Sequence, residues 1–224
     1  MINILLYIYR VMIYSHCDSK GIPLQDKLNE IINKKNGFFI ELGANDGLFQ
    51  SNTAFFEKEL NWTGILIEPS FKGYEKCKKN RPKSISLNYA CVSNDFKEDY
   101  ILGDFNTNDP MGSIVGKRNG SKNIVKVKAI TLERILQDYS NPKIDFLSLD
   151  TEGYELEILK GLNLEKNRPK YMLIEIYNVD FEKIVGYLTL NNYKLHSNFS
   201  NYNKIDNPGW DGSHNDYFFF DSKN

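Results

Sequence analysis

Residues 37–47 read GFFIELGANDG, in which a short apolar run delivers the carboxylate Glu41 into a turn bracketed by Gly43 and Gly47, with Asn45 between them. Glycines in such a turn let the backbone bend sharply and let a ligand approach it, with the amides of a following helix close by. Two cofactor chemistries use turns of this kind. A dinucleotide fingerprint needs G-x-G-x-x-G, whose third glycine packs the helix that meets a pyrophosphate. The spacing here is G-x-x-x-G, and Glu41 would set a further anion beside two phosphates, whereas a sulfonium and an α-ammonium would both be attracted to it. These residues favour S-adenosylmethionine over a nicotinamide cofactor. A plain glycine turn with a helix-capping acid is the reading without chemistry.

About 20 residues further on, ILIEPS ends an apolar run in Glu68, a position from which a carboxylate can accept hydrogen bonds from both hydroxyls of a ribose. That acid serves either nucleoside cofactor. In LNYACVS, Asn88, Tyr89 and Ala90 are candidates to face an adenine, although Tyr89 reads equally well as core. FLSLDTEGYELEILKG carries Asp150 and Glu152 to a glycine-containing turn, and YMLIEI brings Glu175 to the end of the next apolar run. The cofactor-binding candidates are therefore Glu41, Gly43, Asn45, Gly47, Glu68, Asn88, Ala90 and Asp150.

If the donor is a sulfonium, methyl transfer is an in-line displacement, and an acceptor that carries a proton needs a base to take it. Asp150 and Glu175 could take that proton, or hold a divalent ion, Mg²⁺ or Mn²⁺, that acidifies the acceptor; no metal-specific spacing accompanies them. His214, in DGSHNDYFFF, is the third catalytic candidate, set against the commoner structural use of a lone histidine. His16 and His196 carry less weight. Tyr177, Tyr202 and Trp210 could stack on a sugar ring or belong to a core rim.

These residues need elements to position them. Leu24, Leu28, Ile31 and Ile32 recur at helical spacing, and Gly37 stops that helix before the strand FFIEL. GILIE, SISLNYACVS, KIDFLSLD and YMLIEI read as further strands, and YKLHS and YFFFD as the last two. Helices beginning at Ser51, Ser70 and Thr131 separate them. Strands alternating with helices predict a mainly parallel, doubly wound α/β sheet whose ligands bind beyond the carboxyl ends of the strands, at the switch point. Glu41, Glu68, Asn88, Asp150 and Glu175 all fall at such ends. The polar segment NTNDPMGSIVGKRNGSK is a candidate lid.

In this order and spacing, FIELGANDG, GILIEP, NYACVS, IDFLSLDTEGYELEILKGL and YMLIEI resemble the FkbM-type methyltransferase family over most of residues 37–190. The most specific part is D-x-E-G-x-E at Asp150, Glu152, Gly153 and Glu155, joined to I-E-P at Ile67, Glu68 and Pro69. The resemblance implies a class I methyltransferase fold, a Rossmann-like sheet of seven strands with the last antiparallel. It also implies S-adenosylmethionine as donor and transfer to a hydroxyl oxygen, commonly of a sugar or natural-product scaffold. An antiparallel last strand would begin on the active face, which is where it puts His214. The N-terminal segment and residues 197–212 have no clear match, which leaves the acceptor open: a hydroxyl-bearing small molecule, a sugar nucleotide or a glycan.

With 41% hydrophobic and 13% aromatic residues, the chain can build one sizeable core. We expect residues 1–36 to form an apolar segment and helix packed on the domain, and residues 37–224 to form the domain itself. A net charge of -1, without a block of like charge, gives no reason to expect nucleic acid as a partner. Cys17, Cys77 and Cys91, odd in number and far apart, suit a reducing compartment, and the expected location is the cytoplasm. The opening MINILLYIYRVMIYSHCDSK is interrupted by Arg10 and is short of the roughly 20 apolar residues that span a bilayer. It reads as an element docked on the domain or on a partner, or as a surface anchor or signal. A non-catalytic binding module on the same fold is the rival from a different class.

Overall fold

The computed structural model describes residues 14–105 and 124–223. Helix α1 (Leu24–Ile32) precedes β1 (Phe38–Leu42), α2 (Ala54–Leu60), β2 (Thr63–Ile67), α3 (Phe71–Asn80) and β3 (Ile85–Leu87). The chain continues through β4 (Ala90–Cys91), β5 (Tyr100–Gly103), β6 (Val125–Ile130), α4 (Leu132–Asp138), β7 (Phe146–Leu149) and α5 (Glu155–Lys160). It closes with β8 (Tyr171–Tyr177), α6 (Phe181–Leu190), β9 (Tyr193–Asn198) and β10 (His214–Asp221). Seven strands form the main sheet in the order β3-β2-β1-β7-β8-β10-β9. Their pairings are parallel except where β10 inserts between β8 and β9. This is the expected doubly wound α/β sheet, with its antiparallel strand.

Side chains alternate across each strand, and the buried residues sort accordingly into two layers. Phe39, Leu66, Phe146, Leu173 and Phe218 face α1 and α2, whose Leu24, Leu28, Phe55 and Phe56 cover them. Ile40, Ile65, Leu147, Leu149 and Ile174 face α4, α5 and α6 through Leu132, Ile135, Ile158, Ile184 and Leu188. A sheet buried on both faces needs the near-continuous apolar runs that the sequence displays. Ser70 and Thr131 cap α3 and α4, accepting hydrogen bonds from the amides of Gly73 and Arg134.

The helix expected from Ser51 begins instead at Ala54, with Thr53 at its N-cap, and two further departures bear on the site. SISLNYACVS divides into two strands: β3 pairs with β2, while β4 leaves the main sheet and pairs with β6. The break falls at Asn88, whose amide donates to the carbonyls of Glu68 and Pro69 at 2.9 Å each, turning the chain away from the sheet. Strand β10 starts earlier than YFFFD suggests, so His214 is its first residue. The candidate lid at residues 106–122 and the first 13 residues of the N-terminal segment lie outside the described residues. Among the described residues no helix is long and apolar enough to cross a membrane.

Candidate active site

The strand order reverses between β1 and β7, which makes that gap the switch point. The turn after β1 is pressed against β7 there: Gly43 has φ +78, and a Cβ on it would lie 1.7 Å from the carbonyl oxygen of Asp150. Gly43 is thus needed by the close approach of two backbone segments, whatever ligand the turn also admits. Gly47 (φ +79) is similarly enclosed, by Arg81 and Cys77.

Glu41 differs from its expected use. Its carboxylate is 4% exposed and accepts from the Ser51 hydroxyl at 2.9 Å and the Asn52 amide at 3.0 Å. The Thr53 hydroxyl donates to it as well, and the Arg81 guanidinium stands 3.9 Å away. Arg81, fully buried, donates to Glu57 at 2.9 Å, to the Gly47 carbonyl at 2.9 Å and to Ser51 and Thr53. Burial pushes the Glu41 carboxyl up against the opposing pull of Arg81 and these donors. Glu41 is spent inside the protein, fastening the loop that joins β1 to α2, because a buried charge must be met by partners.

Glu68 presents a different environment. One carboxylate oxygen accepts from the Asn45 amide and the other from the Ser70 amide, each at 2.7 Å. Burial pushes its carboxyl up to about 7, with those two amides pulling the other way. Each carboxylate oxygen can accept two hydrogen bonds, and one on each is filled in this way. Of the two adenine candidates, Asn88 has its amide committed to the Glu68 and Pro69 carbonyls. Ala90 lies in the small apolar cluster of Val92, Ile101, Phe105 and Val127. Its methyl group belongs to the second sheet's core, a consequence of β4 leaving the main sheet.

At the carboxyl ends of β7 and β8, one ligand atom each from Asp150, Glu152 and Glu175 lie within 4.8 Å of one another. Glu175 stands close enough to Asp150 to lower its carboxyl against the effect of burial. Burial raises the Asp150 carboxyl; among the charges facing it, His16 and His214 lower it and Asp216 raises it. His214 stands directly across from Tyr177 in the β10–β8 register, with its Nε2 3.3 Å from Oε1 of Glu175. The Ser213 hydroxyl lies 2.8 Å from its Nδ1. Asp150, Glu175 and His214, picked out separately in the sequence, are thus neighbours.

Beside them stand Glu152, which the sequence already carries to this edge, Asp216, which it did not single out, and His16, to which it gave little weight. Glu152 accepts from the Tyr177 hydroxyl at 2.7 Å. Asp216, 5% exposed, is the register partner of Glu175, and its signal was the two-residue spacing from His214, which puts both on one face of β10. His16 had no local signal. It reaches the acids because residues 14–23 are tied to the 199–216 region, through the Tyr202 hydroxyl donating to the Cys17 carbonyl at 2.6 Å and the Ser19 amide donating to the Ser200 carbonyl at 2.7 Å. Trp210 donates its indole N–H to the His214 carbonyl at 3.0 Å, which fixes the entry into β10.

The family model described as "Methyltransferase FkbM domain" matches residues 41–195. None of the curated proteins is significantly similar in sequence to this chain. Solved structures with a similar arrangement include a TehB-like methyltransferase from Corynebacterium glutamicum, at 7% identity and TM-score 0.47, covering 88% of this chain and 87% of that one. The METTL16 methyltransferase domain has 11% identity and TM-score 0.49, covering 89% of this chain and 66% of that one. A methyltransferase from Geobacter sulfurreducens in complex with S-adenosylhomocysteine has 8% identity and TM-score 0.41, covering 88% of both chains.

Proposed function

We propose that this chain, which belongs to the FkbM methyltransferase domain family, transfers the methyl group of S-adenosylmethionine to a hydroxyl oxygen of a saccharide. The observation that carries the acceptor chemistry is the contact of Asp150, Glu175 and His214 at the switch-point edge, since an alcohol needs a proton acceptor where its oxygen attacks. Glu68 supports the donor: its buried carboxyl accepts one backbone amide on each oxygen, and two ribose hydroxyls would offset the cost of holding its charge. When bound, S-adenosylmethionine supplies an electrophilic methyl group.

The protein's own residues do the remaining work. The acceptor's proton passes to the unit formed by Asp150, Glu175 and His214, and Glu175, 3.3 Å from Nε2, steadies an imidazolium. Asp150, Glu152 and Glu175 would repel a phosphodiester backbone, which favours a neutral polyhydroxyl acceptor over nucleic acid. A second reading has its own observation: the same three carboxylates stand close enough together to ligate a divalent ion, which would acidify the hydroxyl instead.

Labelled methyl incorporation, run with S-adenosylmethionine over a panel of neutral saccharides and over RNA and DNA, tests the proposal. Label in a saccharide supports it; label in nucleic acid alone overturns it. A thermal shift produced by S-adenosylhomocysteine and absent with NAD(H) tests the cofactor separately, because a ligand of the native state raises its stability.

A further inference from the structure

The turn between β7 and α5 contains two consecutive residues with left-handed backbones, Glu152 at φ +60 and Gly153 at φ +97. A glutamate adopts that conformation only when its surroundings enforce it, because its Cβ crowds the following carbonyl. The enforcing group is Glu155, the first residue of α5. Its Oε1 accepts from the Thr151 amide at 2.9 Å, the Thr151 hydroxyl at 3.0 Å and the Gly153 amide at 3.1 Å. All three donors belong to the residues on either side of Glu152. Glu155 is itself 2% exposed.

The effect of this brace is felt at Glu152. Held in its turn, Glu152 accepts from the Tyr177 hydroxyl at 2.7 Å and sets its carboxylate beside those of Asp150 and Glu175. We propose that Glu155 is a positioning residue, which locks the 151–153 turn so that Glu152 stands against Tyr177 and completes the acceptor side of the site. The spacing D-x-E-G-x-E then has a mechanical meaning: the second glutamate aims the first. The catalytic sense of this proposal rests on the methyl-transfer reading; the brace itself does not. Burial brings the Glu155 carboxyl up to about 7, so mild acid removes the charge from the acceptor that all three donors share.

The test compares E155A and E155Q with the wild type by amide hydrogen exchange at Thr151 and Gly153, by S-adenosylhomocysteine affinity, and by kcat and KM. Faster exchange at both amides in E155A is expected, together with a kcat lowered on the order of 10- to 100-fold and ligand affinity within about twofold of wild type. E155Q, which keeps an acceptor oxygen without the charge, should recover part of the loss. E152Q should also slow turnover, and adding E155A to it should cost little more, because both changes remove the same interaction. Loosened amides with unchanged kcat, or losses that multiply in the double variant, overturn the positioning role. If E155A does not fold, the same cycle with E155Q decides. If the wild type methylates no acceptor, the methyltransferase reading fails while the brace is still decided by exchange, and unaltered exchange at Thr151 and Gly153 in E155A would overturn it as well.

Discussion

Nε2 of His214 lies 3.3 Å from Oε1 of Glu175, on the antiparallel strand that crosses beside β8. The contact joins a group that can carry a proton to a carboxyl that stands beside Asp150 and Glu152. His214→Asn is expected to lower kcat by roughly 10² or more while leaving S-adenosylhomocysteine affinity nearly intact, since the lost interaction belongs to the transition state. A near-wild-type rate at saturating acceptor would remove His214 from the chemistry.

With Glu68 holding the donor's ribose as proposed, donor binding should depend on pH. Its carboxyl, at about 7 in the unliganded protein, offers acceptors to ribose hydroxyls only when ionised, so ligand binding favours the charged form and releases a proton below that pH. S-adenosylhomocysteine affinity should fall as pH drops from 8 to 6, and Glu68→Gln should flatten the profile. Glu68→Ala should weaken binding by on the order of 1 to 3 kcal/mol. Calorimetric titration across that range checks both; a flat wild-type profile contradicts the assignment.

Gly43 and Gly153 both have left-handed backbones, but only Gly43 is walled in. Gly43→Ala would drive a Cβ to 1.7 Å from the Asp150 carbonyl oxygen and should prevent folding or expel the protein into inclusion bodies. Gly153→Ala meets no atom within 4 Å and should cost only the conformational penalty, about 1–2 kcal/mol. Soluble yield of the two variants, with urea denaturation of whatever folds, would show the difference, and equal yields and stabilities would refute it.

Arg81→Met should destabilise by roughly 3–5 kcal/mol, because Glu41 and Glu57 would be left as buried carboxylates without their cation. The loss should be seen in the unfolding free energy, with kcat of the surviving folded protein much less affected. A selective fall in S-adenosylhomocysteine affinity without a stability change would instead return Glu41 to the cofactor.

An excess of chelator distinguishes the two uses of the acid cluster. With the proton-accepting unit at work, turnover should persist in EDTA. Loss of turnover that Mg²⁺ or Mn²⁺ restores, with weakened ion dependence in Glu175→Gln, would assign Asp150, Glu152 and Glu175 as ligands.

The sequence by itself determined the strands and what they carry to one edge. Apolar runs ending in Glu68, Asp150 and Glu175 have a local signature, and parallel strands place their carboxyl ends on the same side whatever the order of the sheet. Tertiary structure alone decided the partners. Glu41 ends its strand like the others, yet Arg81, brought back by α3, draws it inside. Gly43 looks like a ligand-clearing glycine, and only the fold shows β7 abutting it at Asp150. Ala90 follows a strand that leaves the sheet, and His214 and His16 come to the acids on segments outside the region that the family model matches. Periodicity and turn chemistry act over a few residues and are written in the chain. Which side chains meet across long separations depends on strand order and register, and these are settled only when the two layers of the core close over the sheet.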